Sequence, residues 1–232
     1  RPILESALSV SGAAFGVAET GTLVLAGDSG DDRFALAASP IHVVVLGIEQ
    51  VAARLDDLAL LLPLFSRSAS GQPLASYTTW LNGPSPADAP DGPRELHLII
   101  LDNGRSDLLR WGYGEALACI RCGACAAACP VYQEAGGLAY GGRHGVSGPI
   151  GAVMIPLLPA SPLAPLQPGE RQRWKRGRMT ASAALAMPFA DLPWASTLCG
   201  ACADVCPVGI DIPRLLVQLR SDLAEAGRMP RS

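Results

Sequence analysis

The stretch CIRCGACAAACP, Cys119 to Pro130, decides the reading of this chain. It sets four thiols at the spacing C-x2-C-x2-C-x3-C-P, which is an iron–sulfur ligation run. Cys119, Cys122 and Cys125 recur every third residue on a loop tight enough to wrap one cubane, and Gly123 permits the positive φ that such a loop needs. Where two clusters share a domain, the fourth thiol of such a run reaches the other cluster, so Cys129 predicts a partner motif. It exists: residues 199–207 read CGACADVCP, with Cys199, Cys202 and Cys206 at the last three positions of the pattern and Ser196 where the first Cys would fall.

A thiolate cage selects soft metals, so the competitor for a cluster is zinc. Structural zinc takes four ligands, usually from two C-x2-C knuckles, whereas here a third Cys follows at the same interval and a fourth precedes Pro130. The spacing therefore favours clusters. Crossed ligation assigns Cys119, Cys122, Cys125 and Cys206 to one 4Fe-4S centre, and Cys129, Cys199 and Cys202 to a second. That second centre is one thiolate short. Ser196 could supply an oxygen, the iron could stay open to another group, or the centre could be 3Fe-4S.

All seven cysteines lie in these two motifs, and an odd number at this spacing is no disulfide framework; a reducing cytoplasm is expected. Hydrophobic residues make up 49% of the 232, ample for a core, and the net charge of −3 gives no electrostatic footprint for nucleic acid. The apolar stretches at 41–48 and 149–166 are too short or too rich in proline to span a bilayer. No G-x-G-x-x-G or P-loop is present, so nucleotide binding has no motif support. The chain opens at Arg1 as if in the middle of a domain, which predicts a piece of a longer protein.

Upstream of the cysteines the pattern is α/β. AFGVAE and TLVLAG, joined across Thr20 and Gly21, predict a hairpin. Phe34–Ala38, His42–Gly47, Ala75–Leu81 and Glu95–Leu101 read as strands, the second apolar enough to be buried on both faces. Glu49–Leu62 reads as a helix ended by Pro63, and residues 82–93, NGPSPADAPDGP, as a loop. After residues 104–112 β-runs become rare, which places the boundary there, between a region 1–108 and a helical region 109–232. Residues 113–120 read as a helix delivering Cys119. The closing helix has Asp211 as its cap, Pro213 in the first turn, Leu215, Leu216, Leu219 and Leu223 on one face, and Gly227 as its stop. SGPIGAVMIPLLPASPLAP, residues 147–165, is broken by prolines and reads either as extended chain lying over a surface or covering a partner, or as a poorly ordered loop.

Other signals are weak. His42, His97 and His144 read as core or surface histidines, the DNGR turn at 102–105 as a plain turn, and the basic run RQRWKRGR at 171–178 as a solvated loop.

EALACIRCGACAAACPVYQEAGG, GGRHGVSGPIGAVMIPLL and LPWASTLCGACADVCPVGIDIP together resemble the iron–sulfur subunits of lactate-utilisation systems, the LutB type. AETGTLVLAGD, IHVVVLGIEQVAARLDDL, SASGQPLASYTTWLNGP and DGPRELHLIILDNGRSDLL resemble the LUD domain of the same proteins. The resemblance runs over residues 11–226, with 163–190 outside it. It implies a LUD fold similar to sugar-phosphate isomerases and coenzyme A transferases, followed by a helical two-cluster ferredoxin domain. It also implies a cytoplasmic electron-transfer subunit of a complex oxidising L-lactate to pyruvate, with a cysteine-rich CCG-type subunit and a second LUD-domain subunit as partners and any membrane contact made through them. The rival is an enzyme whose LUD-like region takes a phosphorylated or acyl substrate while the clusters are structural or regulatory.

Overall fold

The computed structural model describes residues 6–140, 146–158 and 191–225. The chain packs as two compact units, Arg1–Asp102 and Asn103–Ser232.

The first unit is mixed α/β, with two sheets. β1 (Leu8–Gly12), β4 (Ile41–Gly47) and β7 (Glu95–Leu101) form a parallel sheet with β4 in the centre. The expected hairpin is present as β2 (Phe15–Val17) and β3 (Leu23–Gly27), antiparallel across a turn in which Gly21 takes φ 69°. β5 (Val51–Ala52) pairs parallel with β2, and β6 (Tyr77–Leu81) antiparallel with β3. The core forms where Leu23 and Leu25 of β3, Val44 and Leu46 of β4 and Leu81 of β6 meet.

Four expectations for this unit need correction. Residues 34–38 are not a strand but the end of helix α1 (Asp31–Ala38), whose Ala-rich composition lacks β-branched residues and whose first turn carries Asp31 and Asp32. Strand β4 is not buried on both faces: His42, Val44 and Leu46 point inward while Ile41, Val43 and Val45 are half-buried. Residues 48–57 hold two 3-10 turns and β5 rather than a helix. Helix α2 (Leu58–Ser70) takes up the last five residues of the expected helix, Leu58 to Leu62, and runs on past Pro63, which sits inside it. Proline there removes one backbone donor near the start of the helix, a loss that burial of Leu58 and Leu62 offsets. His42 is a satisfied core residue, with Ser9 Oγ 2.6 Å from Nδ1 and Ser11 Oγ 2.9 Å from Nε2. Burial lowers its pKa, with Asp32 opposing. His97 is exposed beside Glu95.

In the second unit the described elements are all helical. α3 (Arg105–Arg110) and a 3-10 helix (Gly114–Ala118) lead to the first cysteine loop, which contains α4 (Ala124–Ala127) and is followed by α5 (Pro130–Ala139). α6 (Gly148–Leu157), a 3-10 turn (Leu192–Trp194), α7 (Ala201–Asp204) and α8 (Ile212–Glu225) complete it. α8 is the core helix: Leu215, Leu216, Leu219 and Leu223 are fully buried against α6 residues such as Val153 and Leu157. Its cap is as expected, Asp211 Oδ1 accepting from the Arg214 N–H at 3.1 Å.

The apolar segment at 148–157 was expected to be extended and is instead a helix buried along its whole length. Pro149 lies in the first turn, where no backbone donor is required, and Pro156 lies near the end. His144, the basic run at 171–178, residues 163–190 and Gly227 lie outside the described residues. Among the described residues no helix is long and apolar enough to cross a membrane.

Candidate iron–sulfur site

The two cysteine motifs fold as twins. Gly123 and Gly200 take φ 81° and 88° and open the four-residue helices α4 and α7. Inside each helix the hydrogen bonds correspond: Ala126 N–H to Gly123 O at 2.9 Å and Ala203 N–H to Gly200 O at 2.8 Å, then Cys129 N–H to Ala126 O at 3.2 Å and Cys206 N–H to Ala203 O at 3.1 Å. Two residues before each glycine, Arg121 and Leu198 adopt φ 61° and 55°. A left-handed non-glycine residue stores about 1–3 kcal/mol of strain and gathers where function needs it.

This turn directs a backbone donor at the first residue of each motif. Arg121 N–H donates to Cys119 Sγ at 3.4 Å, and Leu198 N–H donates to Ser196 Oγ at 3.2 Å. Ser196 therefore stands in the backbone position of Cys119 and accepts the same hydrogen bond, with oxygen in place of sulfur.

Other backbone donors reach the remaining sulfurs. Ile210 N–H lies 3.4 Å from Cys206 Sγ. Ile150 N–H, in the first turn of α6, bonds Cys125, and Ala201 N–H bonds Cys199. Such bonds favour the thiolate that a soft metal requires. Gly148 makes the α6 contact possible: at φ 72° a Cβ there would lie 2.8 Å from Ala126 Cβ and 3.2 Å from its Cα. Only a glycine lets α6 approach α4 this closely.

Burial opposes ionisation. It pushes the Cys119 thiol up to about 11, with the charges of Cys125 and Cys122 adding to it and the Arg121 N–H opposing. It pushes Cys202 up to about 11, with Cys125, Cys129 and Cys199 adding to it. Cys125 is raised by burial and by Cys122 and Cys206. Cys199 is exposed and its pKa is lowered, chiefly by the Ala201 N–H. Without metal the Cys119 and Cys202 thiols hold their protons at neutral pH, so binding a metal must expel them.

Helices α4 and α7, which carry Cys125 and Cys202, pack against each other, so the two loops lie side by side. Among the described residues no three His, Cys, Asp or Glu side chains gather as a site for a single ion. A zinc ion needs that convergence. A cubane presents separate irons to thiols spread around it, and two neighbouring sets of soft donors on facing loops suit it.

α8 ties both loops to the core. Its N-terminus holds the turn before Cys119, where Glu115 Oε1 accepts from Asp211 N–H at 2.6 Å and Glu115 also pairs with Arg214. Farther along, Arg220 donates to Pro193 O and Ser196 O, both at 2.9 Å, and lies over the Trp194 ring at 5.2 Å. Sequence reading missed Arg121, Leu198, Ile150 and Arg220. None carries a local signal, because each acts through a backbone angle, a backbone donor or a distant contact.

Comparison with known proteins agrees with this division. Residues 1–101 match the LUD domain, and residues 115–210 match the 4Fe-4S dicluster domain. The chain thus joins a LUD domain to a 4Fe-4S dicluster domain. It is similar to proteins named lactate utilization protein B: 38% identical over 232 residues to that of Shouchella clausii, and 37% over 233 residues to that of Bacillus subtilis. Each alignment covers 100% of this chain and 43% of the relative. The "uncharacterized electron transport protein YkgF" of Escherichia coli is 38% identical over 224 residues, 97% of this chain and 42% of that protein. The chain therefore spans under half the length of these curated relatives. A crystal structure of a duf162 family protein from Deinococcus radiodurans overlays at TM-score 0.32, with 21% identity over 43% of this chain and 56% of that one, too distant to bear on the fold.

Proposed function

We propose that this chain is the iron–sulfur part of a cytoplasmic electron-transfer subunit in a complex that oxidises L-lactate to pyruvate. The observation that carries the reading is the twinned cysteine loops, joined to a chain similar along its length to lactate utilization protein B. Cys119, Cys122, Cys125 and Cys206 hold one 4Fe-4S cluster; Cys129, Cys199 and Cys202 hold the second, of 4Fe-4S or 3Fe-4S type, with Ser196 at its fourth position. The spacing supports this crossed set, since the fourth Cys of such a run reaches the other cluster where two share a domain.

When bound, the clusters supply one-electron transfer with little rearrangement. The chain's own part is to hold the sulfurs, aim backbone donors at them and keep water from the buried ones. The packing of α4, which carries Cys125, against α7, which carries Cys202, supports passage between the two sites. Residues 1–108 form the LUD-like domain, similar in fold to sugar-phosphate isomerases, and residues 109–232 the helical ferredoxin domain. The partners are a CCG-type cysteine-rich subunit and a second LUD-domain subunit, through which any contact with a membrane is made.

Iron and acid-labile sulfide analysis of the anaerobically reconstituted chain, followed by assay with lactate and a dye acceptor, tests the reading. Two clusters without lactate turnover are expected. Turnover by the chain alone would overturn the electron-carrier reading in favour of an enzyme built on the LUD domain.

A further inference from the structure

The twin loops meet solvent differently. Counted from Gly123 and Gly200, residues 120–128 and 197–205 correspond position by position. In the first loop Ile120 is 8% exposed, and Cys122 and Ala128 are half-buried. At the matching positions of the second loop Thr197 and Cys199 are exposed and Val205 is 41% exposed. The same backbone is covered in one copy and left open in the other.

The two stretches also differ in the sign of their charge. Residues 120–128 hold one charged side chain, Arg121, and residues 197–205 hold one, Asp204, exposed at the last position of α7. The first basic residue after Asp204 in the chain, Arg214, is held by Glu115 and Asp211. A valine, a threonine and a carboxylate around an uncovered cluster ligand make a small face, weakly polar and negative at its edge. Transient one-electron encounters use small faces, and opposite charge on the partner speeds them.

We propose that residues 197–205 are the face on which a basic one-electron carrier protein docks, with the electron crossing at the Cys199 side of the second centre. The inference rests on the cluster reading above. Cys199 alone of the seven thiols is exposed, so it brings the second centre nearest to a docked protein. One electron leaves the reduced centre and enters the oxidised carrier, with no bond made or broken. Asp204 steers the approach and holds no metal.

The experiment uses the full chain, reconstituted anaerobically. Iron and sulfide are counted first: a wild type without them overturns the cluster reading, and the docking face with it. With clusters present, the probe is cytochrome c, a basic one-electron carrier. Amide hydrogen exchange with zinc-substituted cytochrome c, which accepts no electron, should show protection over 197–205 and none over 120–128. Reduction of ferric cytochrome c by the reduced chain, followed by stopped flow, should slow about fivefold at low salt in Asp204→Asn, the effect of one charge pair at contact distance in water, and added salt should remove the difference. Ala127→Lys makes the same change in net charge at the matching position of the first loop and should leave the rate at the wild-type value. Both positions are exposed, so both variants should fold and hold the wild-type iron. Protection centred on 120–128, no protection over either loop, an unchanged rate in Asp204→Asn or equal slowing in both variants would overturn the proposal while the iron count upholds the clusters.

Discussion

The loop at 119–129 and the loop at 196–206 share a backbone and differ at the atom that matters to iron. Both turn on a left-handed residue before a left-handed glycine, and both spend the resulting N–H on the first side chain of the motif. In one that side chain is Cys119, in the other Ser196. The turn therefore does not need sulfur; any acceptor of the right reach satisfies the donor. Folding and metal choice are separable here, because the hydrogen bond specifies the turn while ligand softness specifies the metal. The loops differ in shelter too: Cys122 is half-buried, whereas its counterpart Cys199 is exposed and its pKa is lowered.

The largest effects should come from exchanging ligands between the loops. With crossed ligation, Cys206→Ala removes a thiolate from the fully sulfur-bound centre that Cys119, Cys122 and Cys125 begin, and should abolish that centre while sparing the other. Cys129→Ala leaves the second centre two thiolates and should abolish it instead. Resonance spectra with iron counted per chain check this. If Cys206→Ala preserves the signal that Cys122→Ala loses, each loop ligates its own cluster and the crossed assignment is wrong.

Next in size is Ser196→Cys, which makes the second loop a copy of the first. Since the hydroxyl already sits where Leu198 N–H meets it, a thiol should fit without moving the backbone. Iron content should rise if the second centre lacks one iron, and its spectrum should approach that of the first. Unchanged iron and spectrum would show that Ser196 lies outside the coordination sphere.

Much of this was legible in the chain. Cysteine spacing needs no tertiary context, and strand β7 occupies the expected residues Glu95–Leu101 because its apolar run is bounded by Pro93 and Asn103. The apolar face of α8 was equally plain. What failed were segments where prolines were read as breakers, at Pro63 and in 148–157, since burial outweighed a lost donor in both. The segment at 34–38 failed because local propensity favoured a helix and was passed over. The site's second layer was illegible for another reason. Arg121 and Leu198 are ordinary residues in an uncommon conformation, and the donor from Ile150 comes from a helix that meets the cysteines only in the folded unit.

The smallest effects should separate the supports of the two loops. α6 closes on the first loop through Gly148, and α8 holds the second through Arg220. Gly148→Ala places a methyl against Ala126 backbone at a positive φ, which should cost about 1–3 kcal/mol and move the Ile150 donor off Cys125. Iron should then leave the first centre faster under a chelator. Arg220→Met keeps the length of the side chain but removes two donors to carbonyls and the charge over Trp194, a loss of about 1–2 kcal/mol for a half-buried group. Its effect should fall on the second centre, because the carbonyl it releases belongs to Ser196 itself. Iron release timed separately for the two signals reads both variants at once. If each variant speeds loss from both centres alike, the unit loosens as a whole; if each strikes its own centre, the Gly148 contact of α6 and the Arg220 contacts of α8 act on the two centres separately.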